Sequence, residues 1–212
     1  MWLRKEKERK IWFEFQLEGA RIIQGTKFYN LLEEIKIPSF GLKQIHSSII
    51  VEASSGDEPV GDCIFTKRVG EFIYVKTADC LPLAFFSKKY RILGIVHTGW
   101  RGTYLKITEN FIKKFFLERG IKPDEWEVVF GGCIDYKDYE IGNDVVKLFR
   151  GKEGLVEENG KFYLDLVKSN IEILKKFGVK NIHLFPETDK NLFFSHRKGE
   201  RGRNIFGGII LP

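Results

Sequence analysis

Hydrophobic residues recur along the chain in two patterns, one typical of strands and the other of helices. Short apolar or alternating runs predict strands at residues 11–16, 48–52, 62–66, 72–77, 83–87, 91–97, 126–130, 181–185, 192–195 and 204–211. Helical spacing predicts helices at residues 26–36 and 103–119, one that runs from a cap at 142–144 through 149, and one that follows 164–166 and ends at 177. Strands interleaved with helices indicate the α/β class, with a mixed sheet that can fold into two layers.

The chain has 212 residues and contains no internal repeat, low-complexity tract or linker, so we expect one domain over residues 1–212. No apolar run approaches the ~18 residues of a membrane span, and the charged start lacks the apolar stretch of a secretory signal. Three widely spaced cysteines do not form a disulfide framework, which favours a reducing compartment. We therefore expect a cytoplasmic protein that acts as a monomer and has no membrane partner.

The net charge of the chain is +6, which is modest for a protein dedicated to nucleic acid. A positive balance of this size suits a small anionic ligand such as phosphate. The charge therefore argues against nucleic acid as a partner and is compatible with an enzyme that binds a small anion.

Three residues with metal-binding side chains lie at the ends of predicted strands. His46 lies where a loop enters a strand, Cys80 lies in a turn between two strands, and His97 ends a buried strand. Two imidazoles and a thiolate suit zinc and leave a fourth position open for water, which is the catalytic arrangement. Because the three residues are far apart along the chain, only the tertiary fold can assemble such a site. The alternative is a small buried cysteine and hydrogen-bonded core histidines.

The remaining cysteines and histidines, and one basic segment, have simpler interpretations. Cys63 and Cys133 are predicted to be core residues, and His183 alternates with apolar neighbours along a strand and is given no role. The segment 196–203 carries four cations and two glycines in one turn. Its arginines and glycine amides could cradle a phosphate, or the segment could be a solvated hairpin tip.

Several blocks stand out between about residues 41 and 210, and the two that contain Cys80 and His97 are long and unusual in sequence. The blocks are Gln44-Ile45-His46, Gly61-Asp62, Thr77-Ala78-Asp79-Cys80-Leu81-Pro82, Val96-His97-Thr98-Gly99-Trp100-Arg101-Gly102, Tyr139-Glu140-Ile141-Gly142, and Phe194-Ser195-His196-Arg197 with Gly202-Arg203. In this order they resemble the conserved blocks of the YfiH family. On this resemblance the chain is identified as a member of that family.

The resemblance implies a four-layer α/β/β/α fold with mixed sheets, like the catalytic domain of cytotoxic necrotising factor. Members of the family, once described as multicopper polyphenol oxidases with a laccase domain, are regarded as purine nucleoside phosphorylases. They phosphorolyse adenosine, inosine, guanosine and S-methyl-5′-thioadenosine, and they deaminate adenosine. The resemblance therefore implies a purine nucleoside and phosphate as substrates, and a zinc ion held by His46, Cys80 and His97.

The chain departs from the family pattern at several positions. Residues 15–27 keep little of the family's opening block, so contacts made there are in doubt. Asp138 and Glu187 stand where the family usually has cysteines, and Thr98 stands where it usually has alanine. None of these positions belongs to the zinc trio, so we expect catalysis to survive and any accessory redox or second-metal role to be absent.

Three other functions compete with the phosphorylase interpretation. A multicopper oxidase needs more imidazoles than the four present, although the trio resembles a copper site and could bind copper in vitro. A thiol hydrolase would use Cys80 as the nucleophile and a histidine as the base. A binding module without catalysis is disfavoured by the polar, glycine-flanked residues at the strand ends.

Candidate roles follow for the residues around the predicted metal. Deamination needs an activated water and an unligated carboxylate that moves the proton, and Asp62 and Asp79 are the candidates. Phosphorolysis needs an anion held beside a developing cation at the ribose carbon. Candidates for binding phosphate or lining the pocket are Arg197, Arg203, Gln44 and Arg101.

Overall fold

The computed structural model describes residues 1–212, which form fourteen strands and five α-helices. The strands are β1 (Trp2–Lys7), β2 (Lys10–Leu17), β3 (Ala20–Gly25), β4 (Ser39–Phe40), β5 (Ile50–Glu52), β6 (Cys63–Thr66), β7 (Phe72–Thr77), β8 (Leu81–Ser87), β9 (Ile92–Thr98), β10 (Glu127–Phe130), β11 (Leu155–Glu158), β12 (Lys161–Leu164), β13 (Asn181–His183) and β14 (Asn204–Ile210). The helices are α1 (Leu31–Glu34), α2 (Trp100–Tyr104), α3 (Ile107–Arg119), α4 (Asn143–Phe149) and α5 (Leu166–Phe177).

Two six-stranded sheets and a separate hairpin contain all the strands. The first sheet has the order β1-β2-β3-β14-β7-β4, the second has the order β13-β10-β8-β9-β6-β5, and β11 pairs with β12. Most neighbours are antiparallel, but β4 with β7, β10 with β13 and β5 with β6 are parallel. The predicted α/β class with mixed sheets is therefore confirmed.

Strand β9 shows how the second sheet comes to be buried on both of its faces. Leu93 and Ile95 belong to the core between the two sheets, whereas Ile92 and Val96 belong to the core under the helices. Successive side chains of a strand point to opposite faces, so this continuous apolar run needs cover on both sides. The strand predicted at residues 91–97 is confirmed, and its two-sided burial explains its sequence.

The two outer layers of the fold differ greatly in size. On the second sheet, α3 and α5 cover a core of 24 buried residues that includes Phe111 and Trp126. On the first sheet, the four-residue helix α1 places Leu31 against Phe72 and Tyr74. The layers therefore follow the order helix, sheet, sheet, helix, with α1 as the thin layer. None of the helices is long and apolar enough to cross a membrane.

Three predicted elements differ from the structure. The helix predicted at residues 26–36 is wrong except for its four central residues, because Thr26 and Tyr29 form an isolated bridge instead. The helix predicted at 103–119 is broken at Lys106, whose φ of 64° cannot continue a right-handed helix. The strand predicted at 192–195 is absent, since Phe194 donates its amide to the Asn204 side chain rather than to a neighbouring strand.

The register of the second sheet brings distant parts of the chain to one edge. Leu81, the residue after Cys80, pairs with Thr98, so the start of β8 lies beside the end of β9. Strand β6 also pairs antiparallel with β9, and the His97 amide donates to the carbonyl of Asp62 at 2.7 Å. A turn, a strand end and the entry to a third strand therefore meet at one point.

Candidate metal centre and adjoining cleft

Three metal-binding side chains converge at this edge of the sheet. The ligand atoms of His46, Cys80 and His97 all lie within 4.8 Å of one another. The imidazole rings of His46 and His97 are 4.9 Å apart and nearly perpendicular. His97 is buried, Cys80 is half-buried and His46 is exposed, so the group opens to solvent on the His46 side. One divalent ion can be reached by all three side chains.

Asp62 is the residue that holds this group together. Its carboxylate is fully buried and accepts hydrogen bonds from the amides of Ile45, His46 and Ser47, at 3.2, 3.0 and 2.6 Å. The Ser47 hydroxyl donates to the same carboxylate at 2.7 Å, and the Nδ1 of His97 lies 2.9 Å from it. Asp62 thereby positions two candidate metal ligands: His97 through its imidazole ring and His46 through its backbone amide. The backbone of His46 takes a left-handed φ of 59°.

Hydrogen bonds within this group control its ionisation. Burial works to raise the pKa of Asp62, but hydrogen bonds from His97 and Ser47 outweigh burial and hold that pKa at about 2. Burial works to lower the pKa of His97, whereas hydrogen bonds to Asp62 and Cys80 raise it to about 9. Burial also opposes ionisation of Cys80, yet its hydrogen bonds with His46 and His97 lower the pKa of the thiol to about 6. The two imidazoles therefore favour the thiolate, which is the form of cysteine that binds metals.

Gly99 leaves room for the sulfur of Cys80. A Cβ at this position would lie 2.6 Å from the Cys80 Sγ and 3.8 Å from the His46 ring. The backbone of Gly99 has a φ of −76°, which any residue adopts, so conformation does not require glycine here. Glycine is required at this position because the Cys80 sulfur approaches so closely.

A cleft of about 580 Å³ adjoins the metal-binding group without including its three ligands. Asp79, the neighbour of Cys80, lines the cleft and connects the two regions. The wall carries more acidic than basic side chains: Asp79, Asp135, Asp138, Asp165 and Glu187 against Lys190, Arg197 and Lys198. The cleft is thus locally acidic although the chain carries a net charge of +6.

Of the four residues proposed to bind phosphate or line the pocket, only Arg197 lines this cleft. Its guanidinium lies 4.9 Å from the Tyr139 ring and donates to the carbonyl of Glu140 at 2.7 Å. Arg203 is exposed and donates to carbonyls of its own loop. Arg101 lies 4.3 Å from the Trp100 ring, and Gln44 uses both ends of its amide on the backbone of Lys76.

Several residues that shape the site were not identified from the sequence. Ser47 belongs to the Asp62 network, and its position one residue after a candidate ligand was the available signal. Lys190 bridges Asp138 at 2.8 Å and Asp135 at 3.3 Å across the cleft wall. No motif marks the pairing of Lys190 with Asp138, because the two residues lie in short, exposed 3₁₀ helices far apart in sequence.

The other cysteines and the third histidine lie apart from the metal-binding group. Cys63 is fully buried in the core under the helices, as predicted, and burial raises the pKa of its thiol. Cys133 packs against the same core but is only partly covered and lines the cleft, so its prediction as a core residue holds only in part. The Nε2 of His183 lies 2.6 Å from the carboxylate of Glu127 at the sheet edge.

Comparison with known proteins identifies the family. A family model described as multi-copper polyphenol oxidoreductase laccase matches residues 26–211, and the chain belongs to this family. A purine nucleoside phosphorylase from Deinococcus radiodurans is 29% identical over 177 residues, which cover 81% of this chain and 69% of that protein. A purine nucleoside phosphorylase from Aquifex aeolicus is 31% identical over 169 residues, 77% of this chain and 75% of that protein.

Solved structures share the fold over almost the whole chain. YlmD from Geobacillus stearothermophilus superposes with a TM-score of 0.87 at 21% identity, over 99% of each chain. The hypothetical protein YfiH from Bacillus licheniformis superposes with a TM-score of 0.86 at 19% identity, over 98% of each chain. At these identities the likeness concerns the fold, and it confirms the YfiH-type architecture that the sequence blocks implied.

Proposed function

We propose that this chain is a zinc-dependent purine nucleoside phosphorylase that also deaminates adenosine. The proposed substrates are adenosine, inosine, guanosine and S-methyl-5′-thioadenosine, each with inorganic phosphate. The observation that carries the proposal is the convergence of His46, Cys80 and His97 beside a cleft of about 580 Å³. The relatives named purine nucleoside phosphorylases support the reaction type. We expect the enzyme to act as a monomer in the cytoplasm.

The donor set fits zinc. One thiolate and two imidazoles are ordinary zinc ligands, and three protein ligands leave one position for a further molecule. The Nδ1 of His97 faces Asp62, which leaves its Nε2 as the ligand atom. Zinc held there would supply Lewis acidity that activates water for attack on a purine carbon. The same donors bind copper, so the metal has to be identified by analysis.

Asp79 is the proposed proton carrier for deamination. Asp62 was the other candidate, but it is fully buried and its carboxylate already accepts from the backbone and from His97. Asp79 lines the cleft, and one of its two carboxylate oxygens accepts the amide of Arg197. The second oxygen can face a nucleoside. A carboxylate in this place moves a proton between water and the leaving amine.

Phosphorolysis forms a bond between a phosphate oxygen and C1′ of the ribose while the bond from C1′ to the base nitrogen breaks. The base leaves with the electron pair of that bond and takes up a proton. The other product is the sugar 1-phosphate, which is ribose 1-phosphate for adenosine, inosine and guanosine and 5-methylthioribose 1-phosphate for S-methyl-5′-thioadenosine. Positive charge develops on the ribose, and carboxylates of the acidic cleft stabilise it electrostatically. Arg197 is the proposed phosphate ligand at the cleft wall, with Arg203 as a second candidate on the same loop. Arg101 and Gln44 are proposed to shape the pocket.

The decisive experiment assays metal-analysed protein with adenosine and inosine, with and without phosphate, by chromatographic separation of products. Free base is expected only when phosphate is present, and inosine is expected from adenosine without phosphate. Cys80→Ala should lose stoichiometric zinc and both activities. Cys133→Ala is the matched control, a cysteine of the cleft outside the trio, and it should keep its zinc. Full zinc and turnover in Cys80→Ala would refute the ligand assignment.

Two other functions have one observation each in their favour. The low pKa of Cys80 beside His97 suits a thiol hydrolase, and activity that survives complete removal of metal would support it. The description of the family model suits a copper oxidase. Robust phenol oxidation by protein purified without added copper would establish that function instead.

A further inference from the structure

Asp79 lies at the junction of the metal-binding turn and the cleft. It precedes Cys80 in the turn between β7 and β8, and its φ of 82° is left-handed. Its carbonyl accepts the amide of Ile134 at 2.9 Å, and its carboxylate accepts the amide of Arg197 at 2.8 Å. One residue therefore joins three walls of the cleft through its backbone and its side chain.

The loop that donates this hydrogen bond is held mainly by its own contacts. We call residues 195–203 the basic loop. Within it, Gly199 donates to His196, Lys198 donates to the Ser195 hydroxyl, and Ser195 donates to the Glu200 carboxylate. These bonds shape the loop but do not place it on the rest of the molecule. Its position depends on a small number of outward contacts.

The outward contacts of the basic loop converge on Arg197. The Arg197 amide donates to Asp79, and its guanidinium donates to the Glu140 carbonyl beside the Tyr139 ring. Elsewhere the loop is tied by the ion pair of Lys27 with Glu200 at 3.0 Å and by a longer hydrogen bond of 3.5 Å from the Lys198 ammonium to the Asn191 side chain. Because the carboxylate of Asp79 carries a charge, its bond to the amide is the stronger kind of hydrogen bond.

We propose that Asp79 is a positioning residue that docks the basic loop on the metal-binding turn and so sets where Arg197 lies in the cleft. This role rests in part on the proposed function, because the consequence for catalysis is correct placement of a phosphate ligand. Asp79 also links the cleft to the candidate metal centre, since Asp79 and Cys80 are consecutive residues of the same turn. The role uses the oxygen of Asp79 that faces Arg197 and leaves the other free.

The conformation of Asp79 allows a clean test. Asparagine and glycine both tolerate a left-handed φ, so Asp79→Asn and Asp79→Gly preserve the turn. Asparagine keeps an oxygen that can accept the Arg197 amide, whereas glycine removes it. Hydrogen exchange of the Arg197 amide is measured in the full chain, with Asp138→Asn as the matched control because Asp138 lines the same cleft without contacting the loop.

Exchange of the Arg197 amide should rise about tenfold or more in Asp79→Gly, the factor expected for loss of a hydrogen bond to a charged acceptor. Asp79→Asn should stay within about threefold of the parent, since a neutral acceptor is weaker but present. In kinetics, KM for phosphate should rise in Asp79→Gly alone, whereas kcat for deamination should fall in both variants.

Two outcomes would overturn the positioning role: unchanged exchange in Asp79→Gly, or equal exchange in the glycine and asparagine variants. The proposed function fails separately. If exchange responds as expected but the parent protein forms no free base with phosphate, the docking role stands and the phosphorylase proposal falls.

Discussion

The metal-binding group and the cleft beside it are stabilised by different kinds of interaction. The group is organised by the fully buried Asp62, whose carboxylate accepts from three backbone amides, a hydroxyl and an imidazole. The cleft wall is organised by exposed side chains, among them Lys190 with Asp135 and Asp138. Buried charged hydrogen bonds are costly to break, whereas exposed ion pairs contribute little. The difference indicates a rigid candidate metal centre beside a more adaptable cleft wall.

Asp62→Ala should have the largest effect on stability, because it removes the carboxylate around which the metal-binding group is organised. Four donors and one imidazole would lose their acceptor in a buried site, at a cost of about 3–5 kcal/mol of unfolding free energy. Urea unfolding measures this loss, and metal analysis should show that zinc is lost as well. Asp62→Asn, which keeps the volume and one acceptor oxygen, should lose less. Equal stability of Asp62→Ala and the parent would show that the group is not organised by this carboxylate.

Gly99→Ala should weaken metal binding as well as folding. The added Cβ would meet the Cys80 sulfur at 2.6 Å, so the sulfur has to move away from the two histidines. Zinc affinity, measured by competition with a chelator, should fall about tenfold or more, while overpacking costs about 1–3 kcal/mol of stability. Gly120→Ala is unsuitable as a control, since Gly120 has a φ of 67°. Gly142→Ala is a better comparison, because φ is −78° there and the added Cβ would meet the Asp144 side chain at 2.7 Å instead of a candidate metal ligand. An unchanged affinity in Gly99→Ala would place the metal elsewhere.

The metal-binding group is also the region that can be predicted better from the sequence. His46, Cys80 and His97 are identifiable from the sequence because few side chains bind zinc and because long sequence blocks surround Cys80 and His97. Strands Phe72–Thr77 and Ile92–Thr98 were predicted from continuous apolar runs, which two-sided burial demands. Where chemistry or burial leaves few residue types possible, the pattern is specific.

Strand β1, the hairpin of β11 and β12, and the cleft wall could not be predicted from the sequence, and the physical reason is the same for all three. Strand β1 has one buried residue, Trp2, so its alternation is hidden among charged positions. The hairpin of β11 and β12 likewise has a single fully buried residue, Leu164. The contact of Lys190 with Asp138 forms between two short, exposed 3₁₀ helices, and the two residues are 52 positions apart. Tertiary contacts of exposed polar residues leave no periodic trace in the sequence.

Asn170→Ala tests a second buried network, which joins the strand of His97 to the helices. Asn170 is fully buried, accepts from the Thr108 hydroxyl at 2.9 Å and donates to the hydroxyl of Thr103 at 3.2 Å. Thr103 in turn lies 3.0 Å from the hydroxyl of Thr98, the residue after His97. Loss of these bonds should cost about 2–3 kcal/mol in urea unfolding.

The matched control for Asn170 is Asn110→Ala, whose side chain makes one exposed hydrogen bond. It should change stability by less than about 0.5 kcal/mol. If the two alanine variants unfolded alike, the polar chain from Thr98 to Asn170 would contribute nothing to the fold. Buried and exposed polar side chains of the helical layer would then contribute equally to stability.

Lys190→Ala should have the smallest effect on stability, and a small effect would show that exposed ion pairs hold the cleft wall only weakly. The Lys190 side chain is 54% exposed, and its partners Asp138 and Asp135 are 55% and 38% exposed. Exposed pairs contribute about 0.2–1 kcal/mol, and about 1 M salt should remove that contribution by screening. Urea unfolding at low and high salt measures it, with Lys161→Ala as a control that breaks one comparable exposed pair, with Glu140. A loss as large as that of Asn170→Ala, or one that persists in high salt, would mean that the cleft wall is as rigid as the metal-binding group.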